Sequence, residues 1–237
     1  MSPVAHHLQH TLQLRRQGLY GFLAVAIVLL LQGCEDQTLK PWHTVALTQE
    51  FTAAKVDEVR TFEDYQRLEE RLFTQLKEKV IAPTETGPAY SLLRYSKGSA
   101  ADPQQRRQNW NRSFELPAES AIGGVLLLHG MSDSPYSLRA LGLRLNQRGC
   151  WVIGMRLPGH GTAPAGLLDV QIEDMAAAVR LGVAHLAAKV GPKPIHLIGY
   201  STGAPLAIDF ALDALEGGVG PVPASLVLIS PAIGLHP

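Results

Sequence analysis

Ile195-His196-Leu197-Ile198-Gly199-Tyr200-Ser201-Thr202-Gly203-Ala204-Pro205-Leu206-Ala207 is the stretch that decides the fold. Its first four residues form a short apolar run that reads as a buried strand. Its last four are small and apolar and open a helical pattern that continues to Leu215. A serine stands at the turn between them, with glycines two positions away on either side. That spacing has a chemical reason. A nucleophilic serine must project from the tip of a tight turn, and the flanking positions must be small so that strand and helix can approach. The helix that follows aims its free N–H groups at the site, where they can stabilise a developing oxyanion. The five-residue pattern alone is weak, and its place between strand and helix makes it informative.

Working outward from the turn, strands and helices alternate. Gly124-Val125-Leu126-Leu127-Leu128 is a continuous apolar run ending in His129-Gly130, as expected for a parallel strand buried on both faces. Pro135 to Gln147 reads as a helix, Trp151 to Met155 as the next strand, and Leu157-Pro158-Gly159-His160-Gly161 as the loop after it. Ile172 to Val190 is a long alanine-rich helix, and Leu226 to Ile229 is a further strand behind a Pro/Gly-rich connection. Upstream, Phe62 to Ile81 is amphipathic, with Phe62, Tyr65, Leu68, Leu72, Phe73, Leu76 and Val80 at helical spacing. Tyr90 to Tyr95 and Asn109 to Leu116 are expected as short strands. The alternation means an α/β fold with a mostly parallel sheet and flanking helices. Right-handed crossovers then place the site at the carboxyl edge of the strands.

Composition bounds the function. Of 237 residues 46% are hydrophobic and 18% charged, which fits one globular domain with a real core. Lys plus Arg equals Asp plus Glu at 21 each, so no broad basic surface for nucleic acid is expected. The two cysteines, Cys34 and Cys150, offer no disulfide framework within the domain, and Cys150 is expected to be a small buried residue.

The N-terminus has a different character. Arg15 and Arg16 precede the uncharged apolar run Leu19–Leu31, then Gln32-Gly33-Cys34, then Glu35 and Asp36. A positive flank, a short apolar core and a small residue make residues 1–33 a secretory signal. The run is short for a membrane span of about 20 residues. Leu31-Gln32-Gly33-Cys34 resembles a bacterial lipoprotein box, which implies lipidation of Cys34 and a membrane-anchored lipoprotein of the cell envelope, on the periplasmic side. The alternative is an uncleaved anchor helix in the inner membrane. Residues 34–60 are polar and mixed and read as a tether, with the domain proper over 61–237.

Three motifs in order, His129-Gly130-Met131, Leu157-Pro158-Gly159-His160-Gly161 and Gly199-Tyr200-Ser201-Thr202-Gly203, resemble the α/β-hydrolase superfamily. The likeness covers about residues 109–231 and is nearest to its monoacylglycerol-lipase, carboxylesterase and lysophospholipase branch. The resemblance implies that Ser201 is the nucleophile of an ester hydrolase with an acyl-enzyme intermediate. It implies that the backbone N–H groups of Met131 and Thr202 form the oxyanion hole, and that no metal or cofactor takes part. Substrates would be small-molecule or lipid esters. In the family, triad acid and histidine follow the serine on later loops. Here Asp209, Asp213 and Glu216 fall on or beside the helix after the turn, facing away from the serine. His236 is the single downstream histidine, and the chain ends 36 residues after Ser201. The expectation is therefore a C-terminally truncated hydrolase domain that lacks the final strands and both remaining triad members. His129 and His160 are expected to brace loops, and His196 to be a core residue. Ser132, Ser134 and Ser137 are expected in turns and caps. The competing readings are a non-catalytic envelope lipoprotein on a degraded hydrolase fold and, more remotely, a dinucleotide-binding protein, which would need glycine in place of Ser201.

Overall fold

A computed structural model describes residues 39–234. The signal, Cys34 and the first part of the tether lie outside these residues, as does His236. Five strands, β1 (Phe114–Leu116), β2 (Gly123–Leu128), β3 (Cys150–Met155), β4 (Ile195–Tyr200) and β5 (Ser225–Ile229), form one sheet in the order β1-β3-β2-β4-β5. All neighbouring pairs are parallel except β1 with β3. The chain runs from β2 outward to β3, then crosses back to β4 on the other side. The carboxyl ends of β2 and β4 are therefore the point of reversal, the place where ligands bind in open α/β sheets.

The central strand shows why its sequence is apolar without alternation. Leu126 and Leu128 of β2 join one core with Ile153, Met155 and Leu197. Val125 and Leu127 join a second core on the opposite face. The first face is covered by α1 (Phe62–Leu76), α3 (Ile172–Val190) and α4 (Gly203–Leu215), and the second by α2 (Arg139–Gln147). Helix α1 begins at Thr61, whose hydroxyl accepts from the Asp64 amide at 3.0 Å while Asp64 answers the Thr61 amide at 3.0 Å. This reciprocal cap satisfies two donors that the first turn leaves free. Phe62, Tyr65, Leu68 and Leu72, spaced on one face, are all buried.

Several boundaries differ from expectation. The 90–95 segment is not a strand but a run of tight turns after the short 3₁₀ helix Pro88–Tyr90. Of residues 109–116 only Phe114–Leu116 pair, as an antiparallel edge. Helix α1 changes to a π turn at Lys77–Ile81, and Pro135–Leu138 is a 3₁₀ turn ahead of α2. From Leu47 onward the stretch expected as a tether is packed on the domain: Phe51 is 1% exposed, and both it and Val59 belong to the core beside α1 and α3. Cys150 is half-buried at the start of β3, because it lies at the strand's entry rather than in its middle. Strand β5 is an edge in the described sheet, with Leu226 and Leu228 turned to the core and Val227 and Ile229 exposed. Among the described residues no helix is long and apolar enough to cross a membrane.

Candidate active site

Ser201 follows β4 directly and has φ 49°, in the left-handed region that a side chain makes costly. Three backbone hydrogen bonds hold it there. Its amide donates to Ile229 O at 2.9 Å, and its carbonyl accepts from Ala204 N at 3.1 Å and Ala232 N at 3.3 Å. The residues after β5 thus back the turn. The flanking glycines are required by space: a Cβ on Gly199 would lie 2.4 Å from Gly203 O, and one on Gly203 would lie 2.2 Å from Leu128 O. Strand β4, α4 and the end of β2 meet at this point without room for a methyl group.

The loop after β2 abuts the serine. A Cβ on Gly130 would come within 3.2 Å of Ser201 Cβ and 3.1 Å of the Tyr200 ring. Met131 follows with its side chain largely exposed, and Thr202 is half-buried at the start of α4. The amides of Met131 and Thr202 have no backbone or side-chain acceptor among the described residues. The place of Thr202 at the start of α4 and the lack of an acceptor at both leave these amides free for an incoming oxygen.

His129 is locked in place. Its Nε2 accepts from Leu157 N at 3.0 Å, so Nδ1 carries the proton and donates to Gly130 O at 2.9 Å. Burial drives its pKa down to about 3. His160 packs against it with ring centroids 5.1 Å apart and donates from Nδ1 to Pro158 O at 2.8 Å. Burial lowers its pKa as well. Its Nε2 and the Thr162 hydroxyl are buried without a hydrogen-bond partner. Ser134 has a role beyond a turn, donating to Asn111 Oδ1 at 2.8 Å in a buried contact.

The largest feature absent from the sequence reading is Arg156, fully buried between β3 and the Leu157–Gly161 loop. Its fork takes Glu50 in a bidentate pair, Nη1 to Oε2 at 2.9 Å and Nη2 to Oε1 at 2.8 Å, and Nε donates to Glu69 Oε1 at 2.7 Å. Nη1 also donates to His160 O at 3.1 Å, and Gly159 N donates to Glu50 Oε2 at 2.9 Å. Tyr65 donates its hydroxyl to Arg156 O at 2.7 Å, and Ser113 bridges Arg156 N and Glu69. Burial pushes the Glu69 carboxyl up while Arg156 pulls it back. Burial also opposes the charge on Arg156, but the surrounding acids outweigh it and hold the guanidinium well above its ordinary range. The result is an ionised network that fixes the Leu157–Gly161 loop, which holds His129, which holds the loop against Ser201. A charged residue between an apolar strand and a Pro-Gly loop was the available signal; its partners were not.

Neither a histidine nor a carboxylate among the described residues hydrogen-bonds to the Ser201 side chain. His196 is half-buried rather than core, bonded through Nδ1 to Ser225 Oγ at 2.8 Å, because it sits near the entry of the sheet next to the β5 edge. Five steps along the strand, about 16 Å, separate it from Ser201. His185 is bonded to Glu115 at 2.8 Å. Asp209 and Glu216 are exposed, and Asp213 lies 3.6 Å from Arg180. No cluster of three or more potential metal ligands occurs among the described residues.

The family model for the alpha/beta hydrolase family matches residues 125–237. Compared with curated proteins, the chain matches none. Among solved structures it is similar to one from the metagenome-derived lipolytic enzymes LipS and LipT, at 23% identity over 56% of this chain and 50% of that one, TM-score 0.47. It is similar to a Paleococcus ferrophilus monoacylglycerol lipase at 22% identity over 53% and 44%, TM-score 0.44. It is also similar to a carboxyl esterase from Bacillus coagulans at 21% identity over 49% and 38%, TM-score 0.41. The chain spans half or less of the length of these structures, and likenesses this loose carry nothing about chemistry. Residues 125–237 thus match the alpha/beta hydrolase family model, and they lie on a mostly parallel sheet whose strand order reverses at β2, consistent with an α/β-hydrolase fold.

Proposed function

We propose that the chain carries the nucleophile of a serine hydrolase acting on carboxylic esters. The observation that carries this reading is the strained Ser201 turn at the carboxyl end of β4, φ 49°, packed against the loop after β2. Ser201 Oγ would attack the ester carbonyl carbon, moving the π pair onto the carbonyl oxygen, where the Met131 and Thr202 amides donate to it. Collapse expels the alcohol and leaves an acyl-enzyme, which water then cleaves to the acid. The serine proton passes to a base and on to the departing alkoxide. His129, with a pKa of about 3 and both nitrogens engaged, is not that base. In this reading the base and its orienting acid come from outside residues 39–234, and neither metal nor cofactor is needed.

A fluorophosphonate probe should label the full-length protein at Ser201 and leave Ser201→Ala unlabelled. Equal labelling of both would overturn the assignment. Absence of labelling in either would favour the second reading, a non-catalytic envelope lipoprotein, which the lack of a hydrogen-bonded base among the described residues supports.

The Leu31–Cys34 sequence supports a lipid anchor on Cys34 at the periplasmic side of the envelope, which would bring lipid esters within reach. Cys34→Ala should then move the chain from the membrane to the soluble fraction. A protein that stays in the membrane would point to the uncleaved anchor helix instead.

A further inference from the structure

We propose that a cavity between α1, the 94–112 segment and Gly161 is a binding site for an anionic amphiphile, a carboxylate carried on an apolar chain. The cavity measures about 360 Å³, within the range of small-molecule sites. Its apolar lining is made by Phe73, Leu76, Ile81 and Tyr95. Beside these stand Lys77, Arg94 and Arg112, the last with its guanidinium 5.7 Å from the Phe73 ring centroid, against a single acid, Glu70. In a chain of zero formal charge this is a local excess of cations.

The cations have donors to spare. Among the described residues neither Lys77 nor Arg94 lies within 4.0 Å of a carboxylate. Arg94 commits one N–H, Nη2 to Gly161 O at 2.9 Å, which anchors the fork at the cavity wall and leaves its other donors free. Arg112 stands 3.6 Å from a largely exposed Glu70, a loose pair screened by water. A half-buried guanidinium held by a carbonyl, with no carboxylate of its own, is suited to take one in the two-pronged geometry that lysine cannot supply. The apolar lining asks for more than a bare ion, because inorganic phosphate would leave Phe73 and Ile81 facing water.

Two further observations tie the cavity to this chain. A smaller one of about 130 Å³ meets it at Arg94, Tyr95 and Gly161 and extends to Ser132 and Asp133 on the loop beside the serine turn. The buried, unpartnered His160 Nε2 and Thr162 hydroxyl belong to residues lining this extension. All lining residues of the larger cavity except Gly161 precede residue 125, where the family match begins. The site is therefore built by the N-terminal segment rather than by the shared hydrolase half, and it stands whether or not Ser201 is a nucleophile.

The test is calorimetric titration of decanoate, decanol and inorganic phosphate into the full-length protein, below micellar concentrations. Decanoate should bind at one saturable site, with decanol at least about tenfold weaker and phosphate not detected, since a charge-assisted pair corresponds to about that factor. Arg94→Gln should weaken decanoate about tenfold and leave decanol unchanged. Lys77→Glu, at an exposed position whose side chain makes no hydrogen bond, should shift affinity the same way if Arg94→Gln does not fold. Decanol binding as tightly as decanoate, phosphate binding as well as either, or unaltered decanoate affinity in a folded Lys77→Glu protein would overturn the proposal.

Discussion

Ser201 shares its backbone conformation with two other serines, Ser132 at φ 52° and Ser230 at φ 45°. Ser132 follows β2 by way of His129-Gly130-Met131, and Ser201 and Ser230 follow β4 and β5 directly, so all three crowd the carboxyl edge of the sheet. Each such residue costs about 1–2 kcal/mol against an ordinary conformation. At Ser201 the strain is held by the hydrogen bonds to Ile229, Ala204 and Ala232 and by the absence of space around Gly199 and Gly203. This gives a separable signature. Ser201→Gly relieves the strain but adds chain entropy to the unfolded state, so it should exceed Ser201→Ala in stability by about 0.5–1 kcal/mol. Urea denaturation of the two variants measures the difference, and equal midpoints would mean that the turn stores no strain. The elbow itself was legible from glycine spacing. The conformations of Ser132 and Ser230 were not, because neither has the symmetric glycine flanks that mark Ser201.

At the scale of elements, what the sequence revealed was what is local. Continuous apolar runs identify β2 and β3, and helical spacing identifies α1 and α3, because both signals repeat within a few residues. The 90–95 segment carries similar apolar content, yet it folds into turns: Leu92 is exposed while Tyr95 is buried against Trp42, stacked at 5.3 Å. That packing partner is far upstream and could not be read from the window. The same holds for Arg156, whose acids Glu69 and Glu50 lie 87 and 106 positions away. Removing the arginine leaves Glu69 with its charge buried and unpaired. Arg156→Met should cost about 3–5 kcal/mol, whereas Arg156→Met combined with Glu69→Gln should recover part of that loss. Urea unfolding would show it. A loss below about 1 kcal/mol in the single variant would mean that the network tolerates an empty centre and does not fix the Leu157–Gly161 loop.

Across the whole molecule, the cost of holding these loops shows in acid. His129 is buried without charge, its pKa lowered from 6.5 to about 3 by desolvation, and His160 is shifted in the same direction for the same reason. A lowered histidine pKa means that the unfolded chain binds the proton first. The stabilisation is therefore complete above about pH 6.5 and drains as pH falls toward 3, at up to about 1.4 kcal/mol per pH unit for one histidine. Glu69 acts with the opposite sign. Burial raises its pKa above 4.5, so the folded state takes up its proton before the unfolded chain does, which favours folding as the medium turns acid. Glu115 works the other way again. Burial pushes its pKa up, but the hydrogen bonds from His185 and Trp151 outweigh that and leave it lowered, so its contribution persists until pH falls below the ordinary glutamate range. The two carboxylates thus work in different windows: Glu69 above pH 4.5, where it offsets part of the histidines' loss, and Glu115 below it. From pH 6.5 to 4.5 the protonation of His129 alone should cost about 2 kcal/mol, less what Glu69 returns, and urea unfolding at fixed temperature measures the net fall. His129→Gln, which carries no titrating proton, should show a visibly shallower slope even though its absolute stability is lower. A wild-type profile with the same slope as His129→Gln from pH 6.5 to 4.5 would mean that His129 is charged or hydrated in the folded chain. The chain of contacts from Arg156 through His129 to the serine turn would then lose its central link.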